Sequence, residues 1–304
     1  MPRAAGAGAA NRPALAALVV GAVGIGFAPI LVRLSETGPS ATAFWRIVLA
    51  LPLLIGWMSW ERRRAVGERV SAPASPRRSG PHLGWLIIPG LCFAADLAVW
   101  HWSLRATTIA NGTLLPNLAP IFVTLFSWLL FGQRFRRTFL AGLAVAVTGV
   151  ALLLGDSRGL GLDHLAGDGL ALLTAVFYAG YILAVGRLRS AFSTATIMTV
   201  SGVVSAAALA GCALAADEVL LPVSGRGWLA LVGLGWISHA GGQSLIAYAL
   251  AHLPAAFSSV TLLIQPAVAA VLAWLLFGEG LGPTQALGAL VVLAGIMLAR
   301  RGSR

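Results

Sequence analysis

Apolar residues dominate this chain in long runs that recur from one end to the other. Each run approaches the roughly 20 residues that a helix needs to cross a bilayer, and few charges interrupt it. The runs show no period-2 alternation, and only helices or closed barrels satisfy their backbone in lipid, so the pattern predicts helices. We predict ten spans, at residues 13–32, 40–60, 83–104, 108–131, 138–155, 167–187, 194–215, 227–250, 255–277 and 283–300.

The pattern repeats along the chain at an offset of 146 residues. Residues 127–133 read Ser-Trp-Leu-Leu-Phe-Gly-Gln, and residues 273–279 read Ala-Trp-Leu-Leu-Phe-Gly-Glu. The same offset aligns Pro120 with Pro266, Thr138 with Thr284, Gly142 with Gly288 and Gly149 with Gly295. Each copy, 1–156 and 166–300, holds five predicted spans, and an odd number makes the second copy enter the membrane from the opposite side. We therefore expect an all-α integral membrane protein built from two inverted five-helix repeats, an architecture frequent in secondary transporters.

The charged residues fit this arrangement. Only 10% of residues are charged, the net charge is +11, and all 21 basic residues are Arg. Sixteen of them fall on one side of the ten-span arrangement, four fall on the other side, and Arg46 lies within a span. By the positive-inside rule, both termini are expected in the cytoplasm. The basic charge therefore indicates topology, and no nucleic-acid partner is expected. Residues 61–82, rich in Arg, Ser, Pro and Gly, are predicted to form a mobile cytoplasmic loop.

Catalytic and metal-binding patterns are not found in the sequence. Cys92 and Cys212 each lie within an apolar run, so we expect packing residues rather than a disulfide. The chain has no zinc-ligand spacing, no Walker loop and no nucleophile elbow. We therefore expect no metal and no cofactor, and an enzyme is the least favoured class.

Residues 40–53, Ser-Ala-Thr-Ala-Phe-Trp-Arg-Ile-Val-Leu-Ala-Leu-Pro-Leu, resemble the second-helix pattern of the EamA family, which carries an Arg there. Residues 118–154 and 264–298 resemble that family's helix pair, in which an apolar helix with a Pro ends in Leu-Phe-Gly-Glu and a Gly-spaced helix follows. Glu279 keeps the pattern and Gln133 departs from it. The resemblance covers almost the whole chain and implies the drug/metabolite transporter superfamily, with ten helices, inverted five-helix repeats and export of small metabolites.

Within that superfamily, the composition resembles the bacterial amino-acid exporters, particularly the aromatic amino-acid exporter group. The chain has no Lys, which counts against a sugar-phosphate or nucleotide-sugar exchanger, because a buried Lys commonly carries phosphate binding in those relatives. The first span has no acidic residue, which counts against the small multidrug type. The resemblance implies a location in the bacterial inner membrane.

Polar and aromatic side chains inside the spans are the candidate binding residues. Asn117 and Gln265 lie beside prolines in equivalent spans, and His239 lies one helical turn before Gln243. Hydrogen bonding between helices remains the alternative for these groups, and a place in the interfacial belt remains the alternative for Trp102. The predicted substrate-binding residues are Trp100, Trp102, Asn117, Tyr178, Tyr181, His239, Gln243, Tyr248 and Gln265.

Ionisable groups and prolines form a second set of candidates. Asp96 is the only acidic residue well inside a span, and intramembrane charges are functional candidates by default. Arg46 lies at a comparable depth, so the two form either a structural ion pair or part of substrate or proton handling. His101 is either a coupling group or an interfacial residue. Prolines kink spanning helices, and the predicted hinges are Pro29, Pro116, Pro120 and Pro266.

These features predict a secondary transporter that exports small amphipathic metabolites by alternating access. Amino acids with aromatic or other large apolar side chains are the favoured substrates. Two alternatives stay open: an exporter of drugs or other small metabolites in the same superfamily, and a non-transporting membrane scaffold or receptor. The expected partners are the substrate and the lipid bilayer, and both a monomer and a homodimer fit the sequence.

Overall fold

The computed structural model describes residues 7–70, 83–107, 115–153, 165–278 and 282–303. Its α-helices, in chain order, are α1 Ala7–Gly26, α2 Ala28–Arg33, α3 Pro39–Val48, α4 Leu51–Val70, α5 Ile87–Ala106, α6 Ala119–Phe131, α7 Arg137–Leu153, α8 Leu165–Leu188, α9 Thr194–Ala215, α10 Gly225–Gly233, α11 Ser244–Ala249, α12 Ala255–Thr261, α13 Ile264–Phe277 and α14 Pro283–Gly302. Short 3-10 helices, Leu83–Leu86 and Leu115–Leu118, precede α5 and α6. A π-helical segment, Leu234–Gln243, joins α10 to α11.

Seven helical stretches of the described chain are long and apolar enough to cross a membrane. They are Arg12–Arg33, Pro39–Arg64, Gly84–Ser103, Leu165–Leu188, Thr194–Ala215, Ala255–Leu276 and Pro283–Gly302. Two further apolar helices, Leu115–Phe131 and Arg137–Leu152, are shorter. The start of the fourth predicted span, 108–114, lies outside the described residues. The eighth predicted span, 227–250, corresponds to α10, the π-helical segment and α11.

The segment predicted as a cytoplasmic loop, 61–82, begins as a helix. α4 continues without interruption to Val70. Glu, Arg and Ala favour helices, and extending a helix that already exists needs no new nucleation. The guanidinium carbon of Arg64 lies 4.1 Å from the centroid of the Trp60 ring, one turn earlier. The loop prediction is therefore wrong for residues 61–70, and residues 71–82 lie outside the described residues.

The repeated motif ends a helix in the same way in both copies. α6 and α13 both end at the Phe of the motif, Phe131 and Phe277. The glycine that follows is left-handed in both copies, with φ of 63° at Gly132 and 67° at Gly278. Glycine adopts this conformation without the steric cost of a Cβ, so this position of the motif is a helix C-cap.

α7 and α14, the last helices of the two copies, pack along a seam of glycines. A Cβ on Gly149 would lie 2.5 Å from the backbone nitrogen of Val292, and a Cβ on Gly295 would meet the backbone nitrogen of Ala146. The repeat offset exchanges these two contacts, because it relates Gly149 to Gly295 and Ala146 to Val292. From the Gly149–Val292 contact to the Ala146–Gly295 contact, the position on α7 moves toward its start while the position on α14 moves toward its end. The two equivalent helices therefore run antiparallel.

The remaining spans interlock the two copies. α1 packs against the π-helical segment and α11, α5 packs against α8, and α9 packs against α3 and α5. Close approach needs glycine here too, since a Cβ on Gly21 would lie 2.7 Å from the carbonyl oxygen of Gly242. The first span of each copy thus contacts the third span of the other, and the space between the copies is enclosed by helices from both.

Two carboxylates link the first copy to the second near the ends of the spans. Glu36 accepts hydrogen bonds from the Ser224 backbone nitrogen at 3.0 Å and from the Ser224 hydroxyl at 2.6 Å. The hydroxyl hydrogen bond lowers the pKa of the Glu36 carboxyl below its usual value. Glu218 accepts a hydrogen bond from the Ala41 backbone nitrogen at 2.9 Å, near the start of α3, where a negative charge is favourable.

Candidate functional site

A cavity of about 200 Å³ lies between the two copies. Three of the spans that line it are interrupted: between α1 and α2, at the 3-10 turn before α6, and between α12 and α13. Pro29, Pro116 and Pro266 line the cavity at or beside these interruptions. Proline has no backbone N–H and disrupts regular helix, and interrupted helices line binding cavities in transporters. Three of the four predicted hinge prolines therefore lie on one cavity, and their hinge role stays a prediction.

Amide side chains supply hydrogen-bonding groups to the cavity wall. Asn117, Gln243 and Gln265 all line it. Gln265 lies beside Tyr178, and Gln243 lies beside Tyr181. The Nε2 atoms of both glutamines are buried without a hydrogen-bond partner in the described chain. Leaving such a donor unpaired costs about 1–3 kcal/mol, so a ligand that accepts from it regains that energy.

Aromatic rings form another part of the wall. Trp100, Tyr178 and Phe93 line the cavity. The rings of Tyr178 and Tyr181 stack with their centroids 6.1 Å apart and their planes 9° apart. Tyr181 lies behind this wall, 2% exposed, with its ring centroid 4.9 Å from that of Phe93. Phe93 was not among the predicted binding residues, although it lies one turn before Asp96 on the same helical face.

Two opposite charges face the cavity. Arg46 of α3 and Asp96 of α5 both line it, and each is 8% exposed. The guanidinium carbon of Arg46 lies 5.7 Å from the centroid of the Phe93 ring, and its Nε atom has no hydrogen-bond partner in the described part of the chain. The two charges interact electrostatically, yet no ion pair within 4.0 Å joins them among the residues that the structure describes.

Two predicted binding residues lie away from this cavity. Trp102 is 47% exposed and Tyr248 is 37% exposed, both on the outer surface of the bundle. The Tyr248 ring lies against the ring of His252, with centroids 4.9 Å apart. The repeat offset relates Trp102 to Tyr248, so an exposed aromatic side chain occupies the equivalent position in both copies. Their binding role remains a prediction that the cavity does not support.

Three other candidates are buried beside the cavity. His239 lies behind Phe93 with ring centroids 5.5 Å apart, and its two ring nitrogens have no hydrogen-bond partner among the described residues. The Nδ1 atom of His101 lies 2.6 Å from the Leu97 carbonyl oxygen. Pro120 is buried, and its carbonyl oxygen accepts a hydrogen bond from the Thr124 hydroxyl at 2.7 Å. The coupling, binding and hinge roles of these residues stay predictions.

The π-helical segment was not predicted from the sequence. It carries His239 and Gln243, and Gln243 lines the cavity. Segments of this kind are rare and often mark functional sites. Gly241 and Gly242 are the local signal that could have pointed to it, because adjacent glycines weaken a regular helix.

The described residues form no metal-binding cluster and no disulfide. Among the described residues, no group of three or more His, Cys, Asp or Glu side chains could hold a metal ion. Cys92 and Cys212 are both free thiols. The described lining of the cavity can bind a ligand by hydrogen bonds, by charge and by aromatic contact.

Known proteins are similar to this chain in sequence and in fold. The EamA-like transporter family matches residues 12–155 and 165–301, one match for each copy of the repeat. The pseudopaline exporter CntI of Pseudomonas aeruginosa is 30% identical over 71% of this chain and 74% of its own. A probable terminal-alkyne amino-acid exporter of Streptantibioticus cattleyicolor is 27% identical over 76% of this chain and 78% of its own.

A solved crystal structure of another protein has the same fold. It superposes with a TM-score of 0.73 at 20% identity, and it covers 96% of this chain and 98% of its own. The family and the named relatives are transporters rather than enzymes, and the seven apolar helices fit a multi-pass membrane protein. The chain therefore belongs to the EamA-like transporter family.

Proposed function

We propose that this protein exports small amphipathic metabolites, and that its substrates are amino acids with aromatic or other large apolar side chains. The observation that carries the proposal is the cavity between the copies, which joins an aromatic wall to amide groups and to both signs of charge. Ligand pockets usually measure roughly 300–1,000 Å³, so a cavity of about 200 Å³ suits only a small metabolite. The two exporter relatives support export of small metabolites in general.

The proposed architecture is ten spans in two inverted repeats, in a bacterial inner membrane with both termini in the cytoplasm. The antiparallel packing of α7 and α14 supports the inversion, because equivalent helices of two parallel repeats would point the same way. In this topology the cavity lies in the outer half of the membrane. Leu18, Leu54 and Ile246, which are fully buried, lie on its cytoplasmic side. Loading from the cytoplasm then requires this side to open.

We expect different parts of the substrate to lie against different walls of the cavity. The apolar side chain lies against Trp100 and Tyr178, whose rings bury apolar area. Asn117 and Gln265 hydrogen-bond the polar end of the substrate from the two equivalent interrupted spans. Alternating access then exposes this site to each side of the membrane in turn by movement of one copy against the other.

Efflux from liposomes that contain only the purified protein tests this proposal. Vesicles loaded with a panel of amino acids, and separately with drugs and other metabolites, are assayed with and without a pH gradient. Asn117→Ala and Gln265→Ala are expected to lower amino-acid efflux. Thr148→Ala, whose exposed hydroxyl bonds the Ala144 carbonyl of its own helix at 3.0 Å, is expected to leave efflux unchanged. Normal efflux in both cavity variants overturns the assignment of the cavity.

The same assay separates the rival functions. Efflux of drugs or unrelated metabolites in preference to amino acids would favour the drug-exporter alternative. Absence of protein-dependent flux for every member of the panel, from a folded protein, would favour a scaffold or receptor.

A further inference from the structure

We infer that the cavity selects zwitterions, with Arg46 binding the carboxylate of the substrate and Asp96 binding its ammonium group. The inference rests on the proposed function and adds the chemical class that the site accepts. Both side chains are more than nine-tenths buried, both line one cavity, and no ion pair within 4.0 Å joins them among the described residues. A buried charge is strongly unfavourable without a partner, and a zwitterion supplies a partner to each.

Arg46 is held in a way that leaves its donors available. Its guanidinium carbon lies 5.7 Å from the centroid of the Phe93 ring, within the range of a cation–π contact. That contact uses the positive charge and not the N–H groups. The Nε atom has no hydrogen-bond partner in the described chain. Because the planar fork of N–H donors matches a carboxylate, Arg46 is the natural site for the acidic group of the substrate.

Asp96 lies one helical turn after Phe93 on α5, so Arg46 and Asp96 are held beside the same ring. An ionised carboxylate has only acceptors, so its partner must supply the donors. An ammonium group carries three donors and the opposite charge. Asp96 on α5 and Arg46 on α3 therefore form a pair of oppositely charged sites on one cavity, which fits two charges on one small molecule.

This arrangement also rejects molecules that carry only one charge. A lipophilic cation satisfies Asp96 and leaves Arg46 buried and unpaired, and a simple carboxylate does the reverse. Truncating one partner of a buried, hydrogen-bonded charge pair weakens binding by about 30-fold or more. Affinity for a zwitterion is therefore expected to exceed affinity for either single-charge analogue by at least that factor.

Binding to the full-length protein in lipid nanodiscs tests the inference. The ligands are L-phenylalanine with phenethylamine and 3-phenylpropionate, and L-leucine with isoamylamine and 4-methylpentanoate. Each set holds the side chain constant and removes the carboxylate or the ammonium group. The dissociation constants are measured by microscale thermophoresis, and thermal unfolding confirms that each variant is folded.

Wild-type protein is expected to bind at least one amino acid about 30-fold or more tightly than both of its analogues. Asp96→Asn is expected to remove the preference over the acid analogue, and Arg46→Gln the preference over the amine analogue. Arg46→Lys, which keeps the charge, is expected to retain part of the preference. Any one of three results would overturn the inference: wild-type preferences of threefold or less, no binding of any of the six ligands, or equal weakening of all ligands in the variants.

The liposome assay separates failure of this inference from failure of the proposed function. Efflux of other metabolites would leave the exporter function standing, whereas absence of all efflux would remove both.

Discussion

One methyl group added at Gly149 tests the seam between α7 and α14. A Cβ there would lie 2.5 Å from the Val292 backbone nitrogen and 2.9 Å from the Gly288 carbonyl oxygen. Ordinary van der Waals contact begins at 3.4 Å, so the two backbones must separate by about 1 Å in a close-packed interface. Both neighbours are backbone atoms, and no change of rotamer can relieve the clash.

The size of the effect follows from that separation. A gap of about 0.5–1 Å forfeits a quarter to a half of the dispersion energy between the facing atoms, and overpacking typically costs about 1–3 kcal/mol. Alanine also favours a helix over glycine by about 0.8–1.0 kcal/mol, which partly offsets the loss. Gly211→Ala on α9 isolates the steric part, because it makes the same change where nothing lies within 4 Å.

The assay is unfolding of both variants in mixed micelles of a mild detergent and dodecyl sulfate. We expect Gly149→Ala to be less stable than Gly211→Ala by about 1–3 kcal/mol in free energy of unfolding. Gly295→Ala is expected to behave like Gly149→Ala, because the repeat offset exchanges their contacts. Equal stabilities for Gly149→Ala and Gly211→Ala would refute the reasoning that the seam depends on glycine.

Other changes test the loops and the cavity. The Ser224 hydroxyl keeps the pKa of Glu36 below its usual value of 4.5. The ionised Glu36 carboxylate therefore stabilises the fold above that pH, and this stabilisation is lost as the pH falls through the lowered pKa. Thermal unfolding is expected to show Glu36→Gln as less stable than wild type at about pH 7 and equal to it once the carboxyl is protonated; a difference independent of pH would contradict this. Gln243→Met removes a buried donor without a partner in the described chain, and we expect it to raise the unfolding free energy by about 1 kcal/mol while lowering efflux. Trp100→Ala is expected to lower amino-acid efflux, and Trp102→Ala to leave it within about twofold because Trp102 lies on the bundle surface; the opposite order would place the cavity elsewhere.

Local patterns predicted much of the scaffold. The repeated Phe-Gly pair ends a helix in both copies, because only the conformation of the glycine itself is involved. The prolines lie at or beside the interruptions of the spans, because a missing N–H acts within one turn of the chain. The prediction of a loop was wrong at residues 61–70. The composition there suggested a flexible segment, but an existing helix continues through Arg-rich sequence at little free-energy cost.

The choice of cavity residues could not be made locally. Trp100 and Trp102 were both predicted to bind substrate, yet residues two apart on a helix point to different sides, and only Trp100 lines the cavity. Phe93 was missed because an apolar residue facing lipid and one facing a cavity look alike in sequence. In a bilayer both environments accept an apolar side chain, so hydropathy does not separate them.

The sequence alone therefore determined the transporter class, the duplication and where most of the apolar helices lie, since each depends on residues within a few turns of one another or on a repeat that can be read directly from the sequence. Only the tertiary structure brought Arg46 of one span to Asp96 and Phe93 of another and set them around one cavity. Packing between helices from both copies decides that arrangement. It depends on backbone approach at glycines such as Gly149 and Gly295, whose partners lie far away in the chain.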